Sequence, residues 1–532
     1  MFAAKRLPYH KTNSFSKIVL DYLQQETLLS QFYSFAPTLE GIKKAITQKQ
    51  NQKIDRQTLV NTLKDQYRLV DNNDNVSKNL DLLLSSKTFT ICTAHQPNLF
   101  TGPLYFIYKI LHAVKLADYL KKEIPENNFV PVFYMGCEDA DLEELNHFTV
   151  DGKKYVWDTD QQGAVGRMII DRKLLMLIDE LYHQIAIESF GNDFIQTLKE
   201  CFKEGELIQN ATFKLIHNLF ADYGLIVLIP DHADLKKQML HVFEDDLFKQ
   251  SPSKVVNLTC QKLGVHYPVQ AHPRAINLFY LKDDVRERIE KRENKFYVLN
   301  TELSFTEAEL KNELHQYPER FSPNVILRGL LQESILPNIV FIGGGGELAY
   351  WLQLKDLFQE YQIVFPVLML RNSFLLITKK WQQKIEHLKL DLTDVFCTED
   401  EIMKVLVQKN SEKKISLNGD FENASAFYDQ IIRQAMEVDP SLSEHAAAIK
   451  TKSLKQLKVL EQKMLRSEKR KFTDQKRQVQ HIKSALFPGN GLQERTENIS
   501  SYYAKWRKDF IKIIFENSPA IDAEFTVVQL NK

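Results

Sequence analysis

The stretch FTICTAHQPNLFTGPLYFIYK, residues 89–109, joins a short apolar run to a polar loop and then to the start of a helix. Phe89 to Cys92 has the length and the aromatic, β-branched character of a buried strand. Thr101 or Gly102 can cap the helix that follows, and Pro103 falls in its first turn, where a missing N–H costs little. Strand, loop and helix in succession form the repeating unit of a parallel sheet covered on both faces. Four more short apolar runs, at residues 129–135, 225–229, 339–342 and 363–370, recur with helical stretches between them. The expected fold class is α/β with a largely parallel-sheet core.

Outward from the core, residues 14–87 place Ile18, Leu20, Tyr22 and Leu23 near helical spacing and lack strand-like runs. Residues 147–158 alternate about Asp151-Gly152, a pair suited to the positive φ angles of a tight hairpin. Thr306 and Glu309 have the spacing of a capping box. Beyond Thr378 strand signals vanish until the last few residues. Residues 441–484 contain no glycine or proline and keep Leu454, Leu457, Leu460, Met464 and Leu465 on a helical period, which predicts one helix of over forty residues, an arm with coiled-coil character.

A chain of 532 residues exceeds one compact core, so two or three domains are expected. Hydrophobic residues at 44% and charged residues at 26% are those of a folded, water-facing protein. Sixty-nine basic and sixty-nine acidic side chains cancel, which removes any global field for nucleic acid or an anionic membrane. Five widely spaced cysteines suggest neither a disulfide framework nor a zinc knuckle and suit a reducing cytoplasm. Neither an export leader nor a membrane span is read from the sequence.

Four blocks carry candidate chemistry. In the first, a loop at the carboxyl edge of a parallel sheet favours anions through its N–H groups and the helix dipole. His95, Gln96 and Asn98 become candidate catalytic residues, and Thr101, Gly102, Tyr105 and Lys109 candidate substrate contacts. A turn whose polar side chains satisfy its own backbone accounts for them equally well. The second block, MGCEDADLEELNH at residues 135–147, offers Glu138, Asp139, Asp141, Glu144 and His147 as donors for a divalent metal. Asp139, Asp141 and Glu144 are also candidate general bases, with Asn146 and His147 as substrate contacts. Acidic residues favoured at a helix N-terminus explain the cluster more simply, so no metal site is assigned and a metal requirement stays open.

The third block, SPNVILRGLLQESILPNIVFIGGGGELAYWLQLK at residues 322–355, sets four glycines after an apolar strand. It matches neither a P-loop nor a dinucleotide fingerprint. Tight strand-to-helix packing accounts for the glycines as readily as close approach to a ligand. Asn324, Arg328, Gly343, Gly344, Gly346, Glu347 and Tyr350 are candidate substrate contacts, and Arg328, Lys355 and Arg371 candidate carboxylate or phosphate clamps. The fourth block, residues 486–503, returns the chain from the arm to the core. Gln493, Glu494, Arg495 and Asn498 are candidate nucleotide contacts there, a structural salt-bridge role being the alternative. The arm itself, residues 450–483, carries twelve Lys or Arg against three acidic residues. Such a stripe binds nucleic acid or phosphate in some proteins and is more often a solvated helix face, and Phe472 is its sole aromatic.

Taken together, these blocks resemble the bacillithiol biosynthesis cysteine-adding enzymes, or cysteine ligases, over effectively the whole chain. The match is strongest at residues 95–109, 138–147, 322–355 and 486–498. Ala94, Ala140 and Gly345 depart from the family pattern, the second in the acidic block. The resemblance implies a Rossmann-like core, similar to nucleotidyltransferases and class I aminoacyl-tRNA synthetases, with connecting-peptide insertions and a helical coiled-coil domain. On that basis residues 1–87 form a helical segment on the core, 88–377 the core with insertions at about 148–222 and 255–320, 378–486 the arm, and 487–532 the return segment. The implied substrates are malyl-glucosamine and cysteine, joined as an amide in the cytoplasm.

Amide formation from a carboxylate is uphill in water, so ATP is the expected source of activation. His95, with Gln96 and Asn98, is then expected to stabilise developing charge. Asp139, Asp141 or Glu144 would take the ammonium proton, and Arg328 with Arg371 would hold the malyl carboxylates. A homodimer through the arm is expected, with no membrane or nucleic-acid partner. The alternatives are a nucleotide-binding synthetase of another pathway and a coiled-coil nucleic-acid-binding protein.

Overall fold

The computed structural model describes residues 3–410 and 417–530. The five apolar runs become five strands, β2 (Thr88–His95), β3 (Asn128–Met135), β6 (Ile226–Leu228), β12 (Asn338–Gly343) and β13 (Val367–Leu370). The last starts late because Pro366 has no N–H to give a ladder. All neighbours pair in parallel, in the order β13-β12-β2-β3-β6. Both faces are covered, as near-continuous apolar strands require. Phe89 and Ile91 face one core cluster, and Cys92, Val130 and Val132 face another.

In this order the first strand is central, the next two lie on one side and the last two on the other. The chain therefore reverses direction between β2 and β12. That switch point leaves a crevice outside the carboxyl ends of the two strands, the usual ligand position in open α/β sheets. The helix Tyr105–Glu123, most of whose residues are buried, packs on β2 and β3 and brings its first turn to the crevice.

Two insertions and the chain ends complete the body. Strands β4 (His147–Val150) and β5 (Lys153–Val156) form the expected hairpin, with φ of 47° at Asp151 and 80° at Gly152, as a type I′ turn demands. Five strands that the periodicity did not reveal form an antiparallel sheet: β7 (Leu278–Lys282), β8 (Val285–Arg292), β9 (Lys295–Val298), β10 (Ser304–Thr306) and β11 (Phe321–Pro323). In β8 only Ile289 is buried, so its polar sequence carries almost no apolar signal. The Thr306–Glu309 capping box forms. A third sheet joins the two ends of the chain: β1 (Ala3–Pro8) pairs antiparallel with β15 (Glu524–Leu530), which runs parallel to β14 (Phe374–Thr378). A strand in the first dozen residues was not expected; it exists through pairing with a partner some five hundred residues away.

The arm is a helical hairpin. Helix Asn418–Val438 packs along helix Leu442–Lys469, with Lys450 bound to Asp429 at 2.7 Å and Tyr428 to Ser453 at 2.8 Å. The single helix of over forty residues is corrected: it stops at Lys469, passes through a 3-10 turn at Arg470–Phe472, and resumes as Thr473–Leu486. Phe472 packs on the body, and Val479, Ile482 and Leu486 are buried beyond it, so anchoring to the core bends the helix. Among the described residues no helix is long and apolar enough to cross a membrane.

Candidate active site

A cavity of about 780 Å³ opens at the switch point. Its walls come from the end of β2 and the loop after it, the loop after β3, the glycine run after β12, the helix Val325–Ile335, and β7 and β8 of the inserted sheet.

His95 ends β2. Its Nε2 lies 3.3 Å from the hydroxyl of Tyr105, and the two rings meet edge to face. Burial, together with the charges of Lys109 and Arg371, holds the imidazole well below its usual proton affinity, so His95 is neutral at pH 7 and presents a hydrogen-bonding ring rather than a positive charge. Burial pushes the Tyr105 phenol up to about 12. Lys109, one turn further along the helix, donates to the Ala94 carbonyl at 2.9 Å and pairs with Glu347. Glu347 also accepts the Gly344 N–H at 2.8 Å, closing the head of its helix.

The glycine run divides in two. A Cβ at Gly343 would stand 2.9 Å from the Phe341 ring and 3.0 Å from Glu347, so strand-to-helix packing explains this glycine. Gly344, Gly345 and Gly346 line the cavity, and a Cβ at Gly346 would meet nothing within 4 Å. Gly346 leaves space for a ligand at the backbone, whereas a Cβ at Gly345 would press on Val19 at 3.2 Å.

The acidic block separates in the same way. Asp139 takes hydrogen bonds from the Ala140 N–H at 2.9 Å and the Gln96 amide at 3.2 Å, and lies 3.5 Å from Arg328. Burial acts to raise its proton affinity, but Arg328, Arg286 and the Gln96 amide outweigh it, and Asp139 ends below the usual carboxylate range. It is a poor base. Glu144, at the cavity mouth, is raised instead by partial burial and by repulsion from Asp141 and Asp139. Glu138 turns away into a buried network: Lys236 pairs with it and with Asp231 at 3.4 Å, and Asp231 holds Arg167 at 2.7 Å. Asp141 is exposed outside the cavity, Asn146 donates to the Trp157 carbonyl, and His147 binds the Glu143 carbonyl. Among the described residues no group of three or more His, Cys, Asp or Glu is placed to hold a metal ion.

Several further candidates have structural partners. Asn98, Thr101 and Gly102 belong to a strained turn below the cavity, where Phe100, Thr101 and Gly102 adopt φ of 48°, 76° and 61°. Asn498 clamps that turn, donating to the Phe100 and Gly102 carbonyls at 2.9 and 2.6 Å. Gln493 pairs its side-chain amide with both the N–H and the carbonyl of Leu376, extending the sheet by a rung. Glu494 accepts the Phe374 N–H and pairs with Arg371 at 2.7 Å. The fourth block thus closes sheet edge and turn, and only Arg495 of it faces the cavity. Arg371 lines the cavity beside Tyr105, its guanidinium already held by Glu494, the Asn372 carbonyl and Ser373. Lys355 reaches the Gln31 carbonyl on the surface.

Asn324, Arg328, Glu347 and Tyr350 do line the cavity. Reading the sequence missed Arg286, Phe279, Gln270 and Tyr134. Arg286 sits in β8 among other charged residues, so no local signal distinguished it.

The N-terminal Rossmann-like domain model of bacillithiol biosynthesis BshC matches residues 2–372, and the BshC C-terminal coiled-coil domain model matches residues 374–530. Three proteins named "Putative cysteine ligase BshC" are similar over nearly their full length. That of Flavobacterium johnsoniae is 38% identical, over 98% of this chain and 99% of its own. That of Cytophaga hutchinsonii is 40% identical over 94% of each, and that of Christiangramia forsetii 37% over 99% of each. With both models together spanning a Rossmann-like sheet and a helical arm, the chain belongs to the bacillithiol biosynthesis BshC family.

Proposed function

We propose that this chain is a cysteine ligase that completes bacillithiol synthesis by forming an amide between the carboxyl of cysteine and the amine of malyl-glucosamine. One observation carries the reading. The switch-point cavity sets a carboxylate of raised proton affinity, Glu144, among cationic side chains and a neutral imidazole. An anionic sugar substrate bearing an ammonium needs that combination.

The amine arrives protonated, and Glu144 takes the proton. The amine's lone pair then attacks the activated cysteinyl carbonyl, and collapse of the tetrahedral intermediate breaks the bond to the activating group, which leaves as phosphate or AMP while the amide forms. His95, held by Tyr105, donates to the oxygen that gains charge, in a site where a preorganised donor is worth more than in water. A nucleotide is the natural source of activation. Of the residues considered for it, Arg495 lines the cavity with no ion pair among the described residues, whereas Gln493, Glu494 and Asn498 are engaged elsewhere; Gly346, also on the cavity wall, leaves its backbone open to phosphates. We take the reaction to run in the cytoplasm. The arm carries exposed Phe427, Met436, Val438, Leu442 and Ile449, which suit pairing of two chains.

The test is a mass-spectrometric profile of small thiols in cells lacking the gene, with wild-type and His95→Ala copies restored. Loss of bacillithiol with accumulation of malyl-glucosamine, rescued by the wild type alone, supports the reading. An unchanged profile overturns it in favour of a synthetase of another pathway.

A further inference from the structure

Arg286, half-buried on the inserted sheet, differs from the buried cations of the cavity. Lys109 has Glu347 and Arg371 has Glu494. Arg286 forms no ion pair among the described residues. Its guanidinium lies 4.0 Å over the Phe279 ring, and its Nε donates only to the neutral Ser322 hydroxyl, at a long 3.4 Å. On the facing wall Arg328 reaches Asp139 through one nitrogen at 3.5 Å. Arg328 thus has one carboxylate at ion-pair distance and Arg286 has none among the described residues, so the half-buried charge of Arg286 lacks a direct partner.

Burying an unpaired cation is costly unless an anion completes the site. Burial, and then the repulsion of Arg328, push Arg286 down to about 10, which reports the same deficit. Stacking on Phe279 fixes the guanidinium plane, so that its N–H fork presents two parallel donors, the geometry a carboxylate accepts.

We propose that Arg286 and Arg328 form a carboxylate subsite that grips the malyl group of the substrate, with the inserted antiparallel sheet supplying the specificity residue. This rests on the functional reading above. Arg371, bound by Glu494, is not the second clamp. When the substrate docks, one of its carboxylates takes the free face of Arg286 and the other competes with Asp139 for Arg328.

Calorimetric titration separates the possibilities. Malyl-glucosamine and its analogue with both carboxylates converted to amides are titrated into the wild type, Arg286→Gln and Arg286→Lys, each checked for an unchanged thermal melt. Amidation is expected to cost the wild type about 10- to 100-fold in affinity. Arg286→Gln should lose a similar factor for malyl-glucosamine and become nearly indifferent to amidation. Arg286→Lys, which keeps the charge and loses the fork, should fall between them. If the wild type binds malyl-glucosamine and Arg286→Gln binds it equally, the subsite is overturned while the functional reading stands. If Arg286→Gln instead loses ATP affinity and remains sensitive to amidation, the anion is a phosphate and the assignment is wrong. If the wild type binds neither sugar, the functional reading fails and takes the subsite with it.

Discussion

Asn498→Ala tests whether the return segment builds the site or binds its ligand. The side chain is fully buried, and its amide nitrogen satisfies the carbonyls of Phe100 and Gly102. Alanine leaves both carbonyls without a donor, at roughly 1–3 kcal/mol each. Phe100 and Thr101 hold positive φ against a steric cost of about 1–2 kcal/mol apiece, and relaxation of the turn recovers part of this. The net loss expected is about 2–4 kcal/mol, which lowers Tm by several degrees. Relaxation also shifts Pro103 and Tyr105, which follow the turn directly, and so loosens the Tyr105 contact to His95. Activity should then fall by about tenfold or more, the sensitivity typical of a small misplacement of catalytic groups. Differential scanning fluorimetry and steady-state rates on the same preparation check both. If the variant melts within 1 °C of the wild type and only its nucleotide KM rises, the structural reasoning is refuted and Asn498 is a ligand contact.

Lys236→Met should destabilise by about 3–5 kcal/mol in urea unfolding, because Glu138 and Asp231 lose a shared buried cation; adding Glu138→Gln should recover much of the loss. Glu144 needs its proton off to act, and its proton affinity is raised by burial, Asp141 and Asp139, so kcat/KM should fall as pH drops through that raised pKa. Glu144→Gln should cost about 10²- to 10⁴-fold, and Asp141→Asn should move the acid limb of the profile to lower pH. Asp246, buried and bonded to Asn277 at 2.6 and 2.9 Å, is raised to about 7, chiefly by burial. Its folded form holds the proton more tightly than the unfolded chain, so its contribution to stability is full below the unfolded carboxylate pKa, near 4, and is lost as pH rises through about 7. Tm measured from pH 5 to 8 should show this decline relative to Asp246→Asn, whose own slope lacks it.

The parallel core was legible because each of its strands is buried on both faces and reads as a continuous apolar run. The inserted sheet was not, because β8 buries only Ile289 and its register comes from neighbours rather than from its own pattern. The same contrast governs the site. His95, Asp139, Arg328 and the glycines were found because they sit at the ends of legible strands or at the head of the next helix. Arg286 was not, since nothing local separates it from the surface arginines beside it. Polar type alone did not separate a ligand contact from a structural role: Gln493, Glu494 and Asn498 satisfy main-chain groups that no sequence motif displays.

The return segment explains why the two chain ends must meet. The turn under the cavity is strained, and Arg371 is a cation buried at the end of a strand; neither is stable by itself. Asn498, 398 residues beyond Phe100, and Glu494, 123 residues beyond Arg371, supply the donor and the countercharge, while β15 completes the sheet that carries β14 and pairs with β1. The arm interrupts this arrangement between β14 and Gln493 and contributes nothing to the cavity wall among the described residues. A hairpin inserted there must leave and rejoin the body at nearly the same place, which is what the bend at Arg470–Phe472 and the burial of Val479, Ile482 and Leu486 accomplish. The geometry of the site therefore depends on how the arm rejoins the core, although no arm side chain reaches the cavity.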